Sequence, residues 1–249
     1  MPAATPTPVA NSLLAALPSA EYERLVSGLE PVKLTFGEVL YQPGEPIRHA
    51  YFPIDCLVSL LAVVEGRTVL EVGLVGTDGM AGIPLALGIG VSPIRALVQE
   101  SGTALRMESA RFDQEFSRNP SLRRDLFRYA HTLMAQAAQT AVCSRFHLLE
   151  ARLARLLLMT RDRVRSNHFH LTHEFLAQML GVRRVGVTRA AGALQDRNLI
   201  SYSRGGIRIL DRKGLEAASC RCYQIVKNVH DRTQVEHSNR KYSPIAAVA

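Results

Sequence analysis

Residues 171–200 constrain the fold of this chain more than any other stretch, because they contain two helical patterns separated by one glycine. Thr172 is a favourable N-cap, and apolar residues follow it at helical spacing until Gly181, where a left-handed turn residue belongs. A second pattern starts at once, with Val187 on its apolar side and arginines on the other side. Two short helices joined by a tight turn, with this division of faces, predict a helix-turn-helix motif.

The outer face of the second helix is the candidate DNA-reading surface, and an ordinary helical hairpin with a solvated basic face is the alternative. This face consists of Arg183, Arg184, Val185, Thr188 and Arg189. Residues 1–144 carry 11 Lys and Arg against 14 Asp and Glu, whereas residues 145–213 carry 14 against 5, in a chain of net charge +8. The segment that holds the motif is therefore the basic one, as a surface that contacts phosphates requires.

Segments on both sides of the motif predict the rest of a winged helix-turn-helix domain. Residues 147–164 form a helical pattern with leucines inward and arginines, Arg155 among them, mostly outward, and this helix would serve as the platform. Downstream of the motif, two short β patterns flank a turn at Gly205 and Gly206, as in the hairpin of a wing. Arg204 in that turn is a candidate phosphate contact, although a solvated side chain explains it nearly as well.

Three histidines precede and enter the first motif helix with the spacing H-x-H-x-x-H. They are His168, His170 and His173. The spacing raises a metal-binding alternative, but no acidic or thiolate ligand is near in sequence, so we expect imidazoles beside DNA phosphates instead. His173, at the start of the helix, is the candidate DNA contact.

Short β patterns separated by glycine and proline turns occupy residues 32–107 and predict an antiparallel β domain such as a jelly roll. Alternation with period two is clearest in residues 69–75, where Leu70, Val72 and Leu74 share one face.

A long helical pattern follows Pro120 and carries a narrow apolar seam with small residues beside it. The seam consists of Leu122, Leu126, Tyr129, Leu133 and Ala137. A long helix with such a seam is suited to close packing against its symmetry mate, which predicts a homodimer. Packing on the β domain of its own subunit is the alternative.

Together these patterns predict an α+β protein with an N-terminal antiparallel β-roll (jelly roll), a long dimerisation helix and a C-terminal winged helix-turn-helix. The expected boundaries are residues 11–118 for a sensor-like β-roll, 119–145 for the dimerisation helix and 146–222 for the DNA-binding domain. Residues 223–249 are expected to be a partly disordered C-terminal extension.

The four cysteines form no disulfide framework, which favours a reduced, cytoplasmic protein. Cys220 and Cys222 form an isolated Cys-x-Cys, which chance explains without a second ligand pair. We therefore expect no metal site and no cofactor. Neither a secretory leader nor a membrane-spanning run is evident, so no membrane partner is expected. No catalytic spacing of nucleophile, base or phosphate-binding loop is present, so an enzyme is not expected.

The order of these parts resembles that of the Crp/Fnr family of bacterial transcription regulators. The resemblance is strongest in EARLARLLL (residues 150–158), in residues 171–194 and in QDRNLIS (residues 195–201). It is weaker in the roll, at residues 37–40, at Gly44 and at residues 51–53. It implies a sequence-specific regulator that binds double-stranded DNA as a homodimer on a two-fold-symmetric operator, with RNA polymerase as a candidate partner.

The resemblance also assigns roles in the second motif helix. Arg184 and Arg189 fall on family positions suited to bidentate contacts with guanine, and Arg183 and Thr188 fall where phosphate or base contacts occur. Many members have Glu where this chain has Val185, so we expect a half-site that departs from the common family sequence. The next residue, Gly186, has low helix propensity, and close approach to the DNA backbone is the one role we assign it.

The family's cyclic-nucleotide signature is incomplete in this chain. Met80 stands where cyclic-nucleotide-binding members have the Glu that binds the ribose. Those members also have an Arg two residues before an Ala, to neutralise the cyclic phosphate. Here Arg95 directly precedes Ala96, and a shift of one place in a strand turns a side chain to the opposite face. The candidate effector pocket is Met80, Ala81, Gly82, Arg95 and Ala96. The N-terminal cysteines of iron-sulfur members are also missing, since none precedes Cys56.

We therefore expect an effector that is not a standard cyclic nucleotide, or none. A cyclic-nucleotide-gated regulator is one alternative. A module whose basic face docks an acidic protein, without DNA binding, is the other.

Overall fold

The computed structural model describes residues 11–64, 69–203 and 205–240, with side chains described as far as residue 233. By its internal contacts the chain divides into two compact units. The first comprises Met1–Val58 and Val75–Leu126, and the second comprises Ser59–Leu74 and Phe127–Ala249.

The first unit is rich in strands. Its helices are α1 (Ser12–Ala15), α2 (Ser19–Val26), α3 (Ile83–Ala86) and α4 (Ser109–Arg118), and its strands are β1 (Glu30–Leu34), β2 (Val39–Tyr41), β3 (His49–Pro53), β6 (Ile94–Glu100) and β7 (Gly102–Glu108). In one antiparallel sheet β7 lies between β1 and β3, with Leu34 opposite Gly102 and Phe52 opposite Leu105. A second antiparallel pair joins β2 to β6.

A buried asparagine anchors the start of the first unit. The Asn11 side-chain oxygen caps α1 by accepting from the backbone N–H groups of Leu13 and Leu14, at 3.2 and 3.4 Å. Its amide nitrogen donates to the carbonyls of Pro53 and Gly79, at 3.0 and 2.9 Å. Because Asn11 is fully buried, these bonds satisfy polar atoms that would otherwise be costly to bury.

Strands β4 (Leu57–Val63) and β5 (Val69–Val75) are neighbours in one sheet and lie mostly in the second unit. Leu74 is fully buried, but the face that it shares with Leu70 and Val72 is not buried throughout. The side chains of β5 alternate, but Leu70 and Val72 are only half-buried, whereas Glu71 on the opposite face is buried. The Ser59 hydroxyl donates to Glu71 Oε2 at 2.7 Å, so a hydrogen bond allows this carboxyl group to occupy the buried face.

The remainder of the second unit is a long helix followed by a helical domain with a small sheet. Its elements are α5 (Pro120–Phe146, which begins in the first unit), α6 (Leu149–Val164), β8 (His168–His170), α7 (His173–Leu180), α8 (Arg184–Asp196), β9 (Ile200–Ser203), β10 (Gly206–Ile209), α9 (Arg212–Ala218) and α10 (Cys222–Arg240). Strand β10 pairs on either side with β8 and β9.

This element order confirms the α+β class, with a strand-rich N-terminal region, a long helix and a C-terminal helix-turn-helix. Of the expected C-terminal extension, residues 223–240 are helical and belong to α10, and residues 241–249 lie outside the described residues. Tyr223 donates its hydroxyl proton to Asp162 Oδ2 at 2.6 Å, and the hydroxyls of Thr132 and Thr233 lie 3.4 Å apart, which ties α10 to α6 and α5. Within the described residues, no helix combines the length and apolar character needed to cross a membrane.

Candidate DNA-binding site

The turn between α7 and α8 has the geometry that its sequence predicts. Thr172 Oγ1 accepts from the Phe175 backbone N–H at 3.1 Å and caps α7. Gly181 ends α7 in the left-handed region at φ +62°. The Val182 N–H then donates to the Ala177 carbonyl at 3.0 Å, which closes the turn as in a Schellman motif. The cap and the glycine together fix the direction in which α8 leaves the turn.

Helix α8 separates a buried apolar face from an exposed basic face. Val187, Ala190, Ala191 and Leu194 are buried, and the helix packs against α6 and α7. All five residues of the candidate DNA-reading surface are exposed or half-exposed: Arg183, Arg184, Val185, Thr188 and Arg189. Val185 is 57% exposed although it is apolar, so burial does not explain its place on the helix.

Gly186 has a packing role that the sequence did not reveal. A Cβ atom at this position would lie 2.9 Å from Leu149 Cδ2 of α6, closer than side chains normally approach. The low helix propensity of this glycine is therefore the cost of close contact between α8 and α6. Contact with α6 is thus a second role for Gly186, beside the predicted approach to the DNA backbone.

His173 joins α7, α8 and β9 beside the candidate DNA-reading surface. Its Nδ1 lies 3.1 Å from Thr188 Oγ1, and its ring stacks on Tyr202 with centroids 4.0 Å apart. Because the Thr188 hydroxyl donates its one proton to the Arg184 carbonyl (3.2 Å), it accepts from His173 Nδ1–H. Burial, and then the Arg184 charge, lower the pKa of His173, so the ring is neutral at pH 7.

This arrangement makes His173 a positioning group for Thr188. Its other ring nitrogen, Nε2, is buried without a hydrogen-bond partner among the described residues, so the geometry adds no support to the predicted DNA contact by His173. Tyr202, a residue that its sequence pattern did not single out, completes the arrangement by accepting from the His173 backbone N–H at 3.3 Å. The alternating pattern of strand β9 was the one sequence signal that could have identified Tyr202 as a partner of His173. That pattern does not show toward which side of the strand the Tyr202 ring points.

The wing is present as the hairpin of β9 and β10, and Gly205 in its turn has φ +83°. Arg204, the candidate phosphate contact, lies outside the described residues. The third strand β8 was not expected. It carries His168 and His170 on its exposed side, and among the described residues these two do not join His173 in a group of potential metal ligands.

A different group of potential metal ligands does assemble in the second unit. Cys143 and His147, at the end of α5, lie beside Cys220 and Cys222, and their four ligand atoms are all within 4.8 Å of one another. Cys220 and Cys222 are therefore not isolated, contrary to the expectation from sequence. The spacing of Cys143 and His147, four residues apart at a helix end, was the signal that could have identified the second pair.

The residues of the candidate effector pocket are mostly committed to packing in the first unit. Met80, Ala81 and Ala96 are buried, with Met80 fully inaccessible. Gly82 has φ +102°, and a Cβ there would meet the His49 carbonyl oxygen at 3.2 Å. The fifth residue, Arg95, is half-buried, and its Nε donates to Gln42 Oε1 at 2.7 Å.

The predicted seam of α5 is largely buried within the single chain. Leu122, Leu126 and Tyr129 have 0%, 0% and 3% exposure, and Leu133 and Ala137 are half-buried. A different set of exposed or half-exposed side chains follows α5 at heptad-like spacing: Phe127, His131, Met134, Ala138, Ala141 and Arg145. Sequence periodicity alone could not separate these two stripes, because both run along one helix.

Comparison with known proteins agrees with this geometry. Residues 151–218 match the Crp-like helix-turn-helix domain. The transcriptional regulator SdrP of Thermus thermophilus is 28% identical over 195 residues, which cover 75% of this chain and 93% of the relative.

Solved structures agree as well. A Crp/Fnr-family transcriptional regulator from Thermus thermophilus superimposes with TM-score 0.62 at 27% identity, covering 76% of this chain and 98% of the other. A Crp/Fnr-family protein from Eubacterium rectale, at 17% identity, has the same fold with TM-score 0.65 over 83% of this chain and 97% of its own.

These relatives are transcriptional regulators, and the matched domain contains the capped α7, the Gly181 turn and the basic face of α8. Residues 151–218 match a Crp-like helix-turn-helix domain, and over about three quarters of its length the chain is similar to transcriptional regulators of the Crp/Fnr family.

Proposed function

We propose that this regulator binds a two-fold-symmetric operator as a homodimer, reads each half-site with α8, and responds to no standard cyclic nucleotide. The observation that carries the proposal is the candidate DNA-reading surface, on which no residue is buried while the opposite face of α8 is buried.

The start of α8 is suited to contact DNA in two ways. Arg184 and Arg189 lie on the exposed face and have the planar donor groups that recognise guanine O6 and N7. Arg183, at the N-cap, makes no side-chain capping hydrogen bond, so the first N–H groups of α8 and the helix dipole are available to a phosphate. Base reading and phosphate contact would thus come from one turn of helix.

Homodimer formation is supported by the exposed stripe of α5. Phe127 is 48% and Met134 69% exposed, and Ala138 and Ala141 continue their spacing with small side chains. Apolar residues at such spacing favour a two-helix seam, and alanines let the two helices approach closely. We therefore propose this stripe, instead of the buried set of Leu122, Leu126 and Tyr129, as the centre of the dimer contact.

The proposed absence of cyclic-nucleotide sensing is supported by Met80. A thioether accepts hydrogen bonds only weakly and carries no charge, so it is a poor substitute for a carboxylate that binds ribose hydroxyls, and this side chain is fully buried. The side chain of Arg95 is already hydrogen-bonded to Gln42. Calorimetry with cyclic AMP and cyclic GMP should give no saturable heat, and a stoichiometric binding curve with either would contradict this part of the proposal.

The DNA-reading assignment is tested by selection of binding sites from random duplex DNA, followed by titration of the selected site. The wild-type chain should enrich a two-fold-symmetric sequence. Replacing both Arg184 and Arg189 by Ala should remove the preference for that sequence, because each lost bidentate contact costs about 1–3 kcal/mol. A matched control replaces the exposed Arg118 and Arg123 by Ala, which changes the charge equally outside the surface.

The outcome distinguishes DNA reading from the docking of an acidic protein. If the Arg184 and Arg189 variant kept the wild-type preference, or if the wild-type chain enriched no symmetric site, the proposal would be wrong. Val185→Glu provides a gain-of-function test, since the new carboxylate should accept from a cytosine amino group and move the selected half-site toward cytosine at one position.

The dimer contact is tested by Met134→Glu, which places a charge in the middle of the proposed seam. Sedimentation equilibrium should show the wild-type chain as a dimer and this variant shifted toward monomer. Val64→Glu, at a 58% exposed residue that follows the end of β4, should leave the dimer unchanged. A wild-type monomer at all concentrations would contradict the homodimer.

A further inference from the structure

Three cysteines and one histidine converge in the second unit although they come from two distant segments. Cys143 lies in the last turn of α5, and His147 follows it by four residues, so both lie on the same side of the chain. Cys220 and Cys222 lie where α10 begins, after α9. We call these four residues the Cys3His cluster. Its members come from distant parts of the chain, since Cys143 and Cys220 are 77 residues apart in sequence.

The distances within the Cys3His cluster fit four ligands around one ion. With Zn–S near 2.3 Å and Zn–N near 2.0–2.1 Å, a tetrahedral site has edges of about 3.8 Å between sulfurs and about 3.6 Å between sulfur and nitrogen. Cys143 Sγ and Cys220 Sγ are 3.4 Å apart, and Cys222 Sγ and His147 Nδ1 are 3.6 Å apart. Every other pair of ligand atoms is within 4.8 Å, so small side-chain rotations would complete the tetrahedron.

The surroundings of the cluster favour a closed structural site. The three cysteines are buried, at 1%, 8% and 2% exposure, and the half-buried Ala151 packs against them. A disulfide between Cys143 and Cys220 would use two of the four donors and would give no role to Cys222 or His147. A tetrahedral ion uses all four, with no position left for water or substrate.

Two arginines of α6 provide positive charge next to the cluster. A divalent ion bound to three thiolates and a neutral imidazole carries one net negative charge, which is costly to bury without compensation. Arg155 is only 7% exposed, contrary to the outward orientation that its sequence pattern indicated, and it acts electrostatically on Cys143 and Cys222. Arg152 acts in the same way on Cys143 and Cys220.

The hydrogen bonds of Arg155 leave room for an anionic neighbour. One terminal nitrogen donates to Thr140 Oγ1 at 3.0 Å, while its buried Nε has no hydrogen-bond partner among the described residues. The buried Glu71 also attracts this guanidinium. Arg155 therefore lies near two kinds of acidic group, the carboxyl group of Glu71 and the thiols of the Cys3His cluster. A negatively charged metal-thiolate centre explains why a cation is kept at this buried position.

We infer that Cys143, His147, Cys220 and Cys222 bind one Zn²⁺ ion in a tetrahedral structural site that joins the end of α5 to the start of α10. The helix-turn-helix and the wing lie in sequence between the two ligand pairs. The ion therefore closes a loop around the whole DNA-binding domain, and its binding free energy adds to the stability of that domain.

Metal analysis of the purified full-length chain tests the site. The chain is prepared in reducing buffer without chelator, and bound metals are measured by plasma mass spectrometry. The expected result is about one zinc per chain. Cys143→Ser and Cys222→Ser should lower zinc to near zero, and Cys56→Ser, which removes a buried cysteine outside the cluster, should retain it.

A second variant and a second metal keep the result interpretable if the serine variants do not fold. His147→Cys preserves four donors and should retain zinc. Metal-free wild-type chain titrated with Co²⁺ should develop the absorption of tetrahedral cobalt-thiolate coordination, saturating at about one equivalent. Zinc should then displace the cobalt, and chelator should lower the thermal stability of the wild-type chain reversibly.

Three results would overturn the inference. The first is a folded, fully reduced wild-type chain that retains no zinc after incubation with excess Zn²⁺ and dialysis. The second is an intact mass two hydrogens lower than that of the reduced chain, with no metal bound and with a Cys143–Cys220 linkage found by peptide mapping, because a disulfide would then be the function of these thiols. The third is equal zinc content in Cys56→Ser and Cys222→Ser, since it would place the metal elsewhere.

Discussion

Glu71 should make the second unit less stable as the pH rises. Its carboxyl group is 8% exposed, and burial raises the pKa from its ordinary 4.5 to about 7. The Ser59 hydrogen bond and the charges of Arg155 and Arg163 oppose this change in pKa but do not cancel it. The folded chain therefore holds a proton between pH 4.5 and 7 that the unfolded chain has released.

The sign and size of the effect follow from this proton. Because the pKa is raised on folding, the stabilisation is fully present below pH 4.5 and is lost as the pH rises through about 7. Each tenfold change in the acid dissociation constant corresponds to about 1.4 kcal/mol, so the loss is about 3 kcal/mol by pH 8. Glu71→Gln removes the titrating group while its amide oxygen can still accept from Ser59. The variant should thus be more stable than the wild-type chain at pH 8, by roughly 2–3 kcal/mol.

Urea unfolding of both chains between pH 4.5 and 8 measures this difference. All other titrating groups are shared, so they cancel in the comparison at each pH. The advantage of Glu71→Gln should grow as the pH rises and should level off above pH 7. Glu45→Gln, at an exposed position, should show no such growth. A difference between wild type and Glu71→Gln that is the same at every pH would refute the reasoning.

Three further predictions concern the DNA-binding domain. Thr172→Ala removes the cap that accepts from Phe175 N–H and should lower the free energy of unfolding by about 1 kcal/mol in urea titrations. Gly192→Ala should raise it by about 0.5–1 kcal/mol without changing DNA affinity, because a Cβ there has no side-chain neighbour within 4 Å and alanine favours the helix. Arg183→Ala should weaken DNA binding alike on specific and unrelated duplexes, and should reduce the slope of log affinity against log salt by about 1.

The elements set by local signals could be predicted from the sequence. Thr172 as N-cap, Gly181 as left-handed terminator and the division of faces in α8 depend on residues within a few positions of one another. The order of strands, long helix and helix-turn-helix followed from the same kind of signal, which is why the fold class was correctly predicted.

Features that depend on distant residues could not be predicted. The burial of Glu71 requires Ser59, 12 residues away on the neighbouring strand, and alternation alone does not say which face is buried. The Cys3His cluster requires the end of α5 to meet the start of α10, across the whole DNA-binding domain. Arg155 looked solvent-facing because helical periodicity does not show which neighbouring helix covers an arginine.

The structure also narrows where the operator preference of this regulator can originate. Gly186 packs against Leu149, and the hydroxyl of Thr188 is hydrogen-bonded to the Arg184 carbonyl and lies 3.1 Å from His173 Nδ1, so a change at either position also alters packing or hydrogen bonding within the domain. Val185 precedes Gly186 in the chain, is exposed and has an apolar side chain. If α8 docks as proposed, this side chain meets DNA and can distinguish bases only through apolar contact, for example with a thymine methyl group. Replacing Val185 by another uncharged residue should therefore change the preferred half-site while leaving stability and the salt dependence of binding unchanged, a combination that neither Gly186 nor Thr188 variants should show.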